Sequence, residues 1–98
     1  MNRRLELMEK WCNNNDYNKL YYGLKKCNDK AISMCYAEYK NGKEEHYHSN
    51  LYSCVYDFKN ENNLNETMEE LMQLCKDICF AVDRKFQVHN FKIENKLV

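Results

Sequence analysis

Ninety-eight residues make one domain with a thin core, which a cross-link, a metal or a partner commonly reinforces. Fifteen Lys plus Arg balance fifteen Asp plus Glu, which removes the basic excess that a sequence-independent grip on nucleic-acid phosphates needs. Two Gly, no Pro, and no run near the ~20 apolar residues of a membrane span predict a mostly helical chain, without a nucleic-acid partner and without a transmembrane segment. The frequent Asn, Lys and Tyr read as the drift of an AT-rich genome.

A short first helix is expected over about 2–12, with Leu5, Met8 and Cys12 on one stripe and Trp11 beside them, a core residue anchoring this helix to the rest or, alternatively, an exposed partner contact. Asn13, Asn14, Asn15 and Asp16 break it, because short polar side chains compete with the helical backbone; Asp16 suits the cap of the next helix. That helix runs Tyr17–Lys40. Tyr17, Leu20, Tyr21, Leu24, Cys27, Ala31, Met34 and Cys35 alternate in steps of three and four, one buried stripe. Asn41-Gly42 stops it, and Gly23 inside it marks a close approach of a neighbour or a bend.

The third helix is expected over about 44–58, with Glu44 and Glu45 at the positive end of its dipole and Ser49 as an alternative start. Tyr47, Leu51, Cys54, Val55 and Phe58 form its stripe. The fourth is expected from 63 or 65 to about 90, striped by Leu64, Met68, Leu71, Cys75, Ile78, Val82, Phe86 and His89. Asn63 with Glu66, or Thr67 with Glu70, is its capping pair. Residues 91–98, carrying Phe91, Ile93 and Leu97, form a frayed end or a short extended arm. Short connections make neighbours antiparallel. The predicted architecture is all-α: a small antiparallel bundle of three long helices plus the short N-terminal one, a single domain over 1–98.

Six cysteines sit among these stripes: Cys12, Cys27, Cys35, Cys54, Cys75 and Cys79. An even count permits three disulfides, and all six are candidates. Folding the chain at 40–41 sets Cys27 opposite Cys54, the leading pair, and Cys35 opposite His46. Folding it again at 61–62 sets Cys75 opposite His48 and Cys79 opposite Glu44. One end of the bundle thus collects Cys75 and Cys79, one helical turn apart, with His46 and His48. Two thiolates and two imidazoles are a zinc donor set. The alternative chemistry for Cys75-Lys76-Asp77-Ile78-Cys79 is a dithiol that cycles with its disulfide, Lys76 helping to ionise a thiol.

A Gly-rich phosphate loop, an H-E-x-x-H pair and a serine elbow are all missing from the sequence. The chain therefore reads as non-enzymatic, with no cofactor, zinc being the alternative. The surplus of Tyr, Met and Phe suits a protein interface, with Trp11, Tyr21, Tyr22, Tyr52 and Tyr56 as candidate contacts to a protein partner or a second copy.

The Cys-bearing helical hairpin of Cys27 and Cys54 resembles the coiled-coil–helix proteins of the mitochondrial intermembrane space, and the C-x3-C of Cys75 and Cys79 is similar to that of the small Tim chaperones. The intervals are this chain's own: seven residues between Cys27 and Cys35, eighteen between Cys35 and Cys54. The resemblance implies an accessory subunit or assembly factor of a respiratory complex, oxidised in the intermembrane space. The N-terminus has no apolar signal core, so the alternatives are a cytoplasmic protein, or a secreted or exported parasite or viral factor whose signal has been trimmed.

Overall fold

A computed structural model describes residues 9–11, 17–80 and 84–96, and every regular element among them is helical. Residues 9–11 are helical, followed by α1 (Tyr17–Lys40), α2 (Tyr47–Glu61), α3 (Met68–Cys79) and α4 (Arg84–Glu94). The expected first helix, Cys12 and the Asp16 cap otherwise lie outside the described residues.

Helix α1 has the predicted bounds. At about 36 Å it sets the long axis of a molecule 43 Å in its longest dimension. It ends as the Asn41-Gly42 pair dictates. Gly42 takes φ 69°, its N–H bonds to the Tyr39 carbonyl at 3.0 Å, and the Lys43 N–H returns to Glu38 at 2.9 Å. Those two bonds satisfy carbonyls that a helix end leaves open. The chain then reverses, and α2 packs antiparallel on α1. Gly23 is where the two helices close up: the Phe58 ring lies over it, in space that a Cβ would need.

Helix α2 is displaced from its expected place. It runs Tyr47–Glu61 rather than 44–58, so Glu44 and Glu45 lie before it and its first turn carries no acid. The start moves because His46 is held in the loop by Glu38. The Glu38 carboxylate accepts from the His46 N–H at 3.3 Å and contacts the ring Nδ1 at 2.9 Å. The far end extends to Asn62, whose backbone N–H and side-chain amide both bond the Phe58 carbonyl.

The expected single helix over 63–90 is two helices. Helix α3 starts one residue after Thr67 in a complete capping box: Thr67 Oγ1 accepts from the Glu70 N–H at 3.1 Å, and Glu70 Oε1 accepts from the Thr67 N–H at 3.3 Å. It ends at Cys79, and Phe80 is already off-helix at φ −124° and ψ 30°. Packing explains the break. Cys75 is level with Leu24, its thiol on that carbonyl. A straight helix would carry Phe86 about 16 Å beyond that level, past Ala31, where the buried face of α1 ends. After the break, Phe86 instead meets Tyr17 edge-on. Asn90 takes the Tyr17 hydroxyl at 2.8 Å. Of the two readings of 91–98, the described part follows the helix end and not the extended arm: it is helix to Glu94 and a turn beyond.

The core gathers one face of each element: Trp11, Tyr21, Leu24, Leu51, Val55, Leu71, Leu74, Cys75 and Phe86 are each nearly or wholly removed from solvent. The all-helical bundle of the sequence reading is thus the architecture. Disulfide bracing is a separate matter: the described cysteines Cys27, Cys35, Cys54, Cys75 and Cys79 are free thiols. No helix among the described residues is long and apolar enough to cross a membrane.

Candidate functional site

Sulfur lines the seam between α1, α2 and α3. Antiparallel pairing brings Cys27 and Cys54 together as the register predicts, the Cys27 thiol donating to the Cys54 carbonyl at 3.5 Å. Cys54 Sγ lies 3.9 Å from Met34 Sδ, and Asn50 Nδ2 donates to Cys35 Sγ at 3.6 Å. Burial, with the Cys54 thiol nearby, pushes the Cys27 thiol up to about 11. At neutral pH this group is a packed thiol and a poor nucleophile.

Cys75 and Cys79 differ from that pair. They are one turn apart on α3. Cys75 is buried to 1 % exposure and Cys79, the last residue of the helix, is half-buried. Their thiols are neighbours. Interaction with Cys79 and burial hold Cys75 well above the ordinary thiol range, while the neighbouring Cys75 thiol lowers Cys79 against the opposing effects of burial and Asp29. One thiol is kept protonated and hidden; the other is ionisable and reachable.

The histidines expected to join this pair are elsewhere. His46 holds Glu38, whose carboxylate raises the His46 pKa through their hydrogen bond, and Glu38 is lowered in return. Glu38 also accepts from Asn50 Nδ2 at 2.7 Å. His48 faces the groove between α2 and α3, among Tyr52, Met68, Met72 and Lys76. Among the described residues, no three His, Cys, Asp or Glu side chains are grouped for a metal ion. The Cys75, Cys79, His46 and His48 donor set is therefore not assembled in this structure.

A polar network that the sequence did not suggest ties α4 to α1. The Tyr21 hydroxyl donates to Glu94 Oε1, and Lys25 Nζ donates to the same oxygen at 2.8 Å. Burial and the Glu94 bond push Tyr21 up to about 12. Lys25 is raised and Glu94 lowered by their shared hydrogen bond. The sequence signal would have been Glu94 on a continued helix, which the expectation of an arm obscured.

Between α1 and α2 lies a cleft of about 650 Å³, floored by Gly23, Phe58, Cys27 and Cys54. One wall carries Lys19, Lys26 and Lys30, and the other carries Asp57 and Glu61. Opposed charges across an apolar floor give it no single ligand preference.

Of the five aromatics expected at an interface, Trp11 and Tyr21 are each 1 % exposed. They are core residues. Tyr22, Tyr52 and Tyr56 are at the surface. The most exposed aromatics of α1 are two that the sequence reading did not single out as contacts. Past Ala31, Ile32 is 51 %, Tyr36 61 % and Tyr39 68 % exposed. Their i, i+4, i+7 spacing puts them on one face, about 90° around the helix from the buried stripe at 100° per residue. That offset could have been counted. It was hidden because Met34 and Cys35 appeared to continue the core face, where the structure leaves Met34 exposed and Cys35 half-buried.

No family model, no curated protein and no solved structure matches the chain. Function has to be argued from these side chains.

Proposed function

We propose that this is a non-enzymatic interaction protein that holds a protein partner against the projecting second half of α1. The supporting observation is the stripe of Ile32, Tyr36 and Tyr39, half or more of each side chain open to solvent. Burying such a stripe against another helix recovers about 25 cal/mol per Å² of apolar surface, and aromatic side chains are favoured at interfaces.

The occupant this reading commits to is a second copy, because the stripe is complementary to itself about Tyr36. An antiparallel pair centred there sets ring against ring and Ile32 against the partner's Lys40 stem. This contact maps onto itself, as a two-fold interface must. Three side chains a copy make a small and transient interface.

Sedimentation equilibrium at rising concentration tests this. The expected result is a monomer–dimer equilibrium that is abolished by Tyr36→Glu, a substitution at an exposed site that spares the fold. A wild type that stays monomeric into the millimolar range, or a dimer indifferent to Tyr36→Glu, overturns it.

In this reading Cys27 and Cys54 are structural. Their 3.5 Å thiol-to-carbonyl contact supports closure of a bridge in an oxidising compartment such as the mitochondrial intermembrane space. That bridge would stabilise the hairpin by about 3–4 kcal/mol on loop-closure arguments. An accessory or assembly role there would follow. Oxidised and reduced chains compared by urea unfolding would differ by that amount.

A further inference from the structure

We propose that Cys79 and Cys75 form a thiol–disulfide exchange pair acting on low-molecular-weight disulfides of the glutathione type, Cys79 attacking and Cys75 resolving. The pair lies on α3, away from the stripe on α1, and does not depend on it.

Three observations carry the assignment. Cys79 is half-buried and so reachable, whereas Cys75 is almost wholly enclosed with its sulfur 3.4 Å from the Leu24 carbonyl. Residues i and i+4 of a helix have Cα atoms about 6.2 Å apart, inside the range that a disulfide spans, and their Cβ atoms, about 5–6 Å apart, must close to about 4 Å. Finally, Cys79 is the last residue of α3 and Phe80 has left helical geometry, so the reacting end can adjust while Cys75 stays fixed in the core.

Charge around Cys79 is mixed. Lys25 favours its thiolate and Asp29 opposes it. The carbonyl end of α3 also opposes it. The neighbouring Cys75 thiol offsets these and lowers the Cys79 pKa, which is what an attacking sulfur needs.

The steps balance. The Cys79 thiolate attacks one sulfur of oxidised glutathione; that S–S bond breaks, and one glutathione leaves as a thiolate that takes up a proton. Cys79 then carries a mixed disulfide. Cys75 gives up its proton and attacks Cys79 Sγ, forming the Cys75–Cys79 bond. The second glutathione leaves with that proton. Two thiols of the protein are oxidised and one glutathione disulfide is reduced to two thiols. Excess reduced glutathione drives the reverse.

The test uses the full chain equilibrated with mixtures of reduced and oxidised glutathione, acid-quenched, alkylated and digested with trypsin. Lys76 lies between the two cysteines, so cleavage there leaves two peptides that only a Cys75–Cys79 bond holds together. The expected result is a linked pair that rises with the oxidised fraction and reverses. In Cys75→Ser, the expectation is a glutathione mixed disulfide that persists on Cys79.

Since substitution at a buried site can cost the fold, alkylation of the native wild type provides a second readout. Iodoacetamide is expected to label Cys79 at least about tenfold faster than Cys75. Absence of the linked peptides at every ratio overturns the assignment. So does Cys75 labelling as fast as Cys79, or a folded Cys75→Ser chain that takes no glutathione at Cys79.

Discussion

Gly23 shows how much a single residue can carry. In a helix it costs about 1 kcal/mol against Ala, and here the loss gives Phe58 a place to lie. Gly23→Ala is therefore expected to destabilise by about 1 kcal/mol net, since displacing the ring costs about 1–3 kcal/mol against the propensity gain. In a Phe58→Leu background the same change should become neutral or stabilising, a coupling that a urea-unfolding double-mutant cycle would read. His46 gives a second prediction. Its folded pKa is raised, so its contribution is complete below the unfolded value of about 6.5 and fades as pH rises through the folded one. Glu38 is lowered, so its share is lost as pH falls through its own folded value. The pair acts between those limits. An NMR titration of the His46 ring should show a midpoint above about 6.5, returning toward it in Glu38→Gln. The tight spot at Gly23 was legible, because a lone Gly in a striped helix has few other uses. The partner of His46 was not, because Glu38 reaches it across the reversal of the chain.

Elements were legible where their ends carry chemistry. The end of the long helix was expected at about Lys40 and lies there, because Gly42 adopts the left-handed conformation just beyond it. The Thr67–Glu70 box was one of two candidate starts for the fourth segment, and it is the one used. Thr67→Ala is expected to cost about 1 kcal/mol. The loss should appear as a lower urea midpoint with an unchanged slope, and as faster amide exchange in the first turn of α3. The break after Cys79 had no such signal. Phe80 to Arg84 contains neither Gly nor Pro, and the apolar spacing runs through it to Phe86. Local preference there favoured one long helix, and burial of Phe86, Asn90 and Ile93 overrode it.

At the scale of the whole molecule the packing is uneven. The middle of α1 is covered by α2 and α3, while its second half beyond Ala31 contacts mainly the start of α2. Helix α4 is held by Phe86, Ile93 and the bonds from Tyr17, Tyr21 and Lys25. Native-state hydrogen exchange should therefore rank the amides, with those near Leu24, Leu51 and Val55 opening only with global unfolding, and those of residues 33–40 and α4 opening at lower free energy. Phe86→Ala, at a site 1 % exposed, should cost about 3–5 kcal/mol and selectively release α4. Equal protection across all four helices would contradict this order.

By itself the amino-acid sequence determined that the chain is helical, that Tyr17–Lys40 is its longest element, and that Cys27 meets Cys54 when the chain turns. Those properties follow from periodicity, from caps and from the geometry of a short reversal, all of which are local. Only the tertiary structure decided that Tyr36 and Tyr39 are surface, that His46 serves Glu38, and that Cys75 is hidden behind a reachable Cys79. Each of these depends on which elements cover which length of α1. That is settled by the competition to bury apolar area, and no window of sequence contains both competitors.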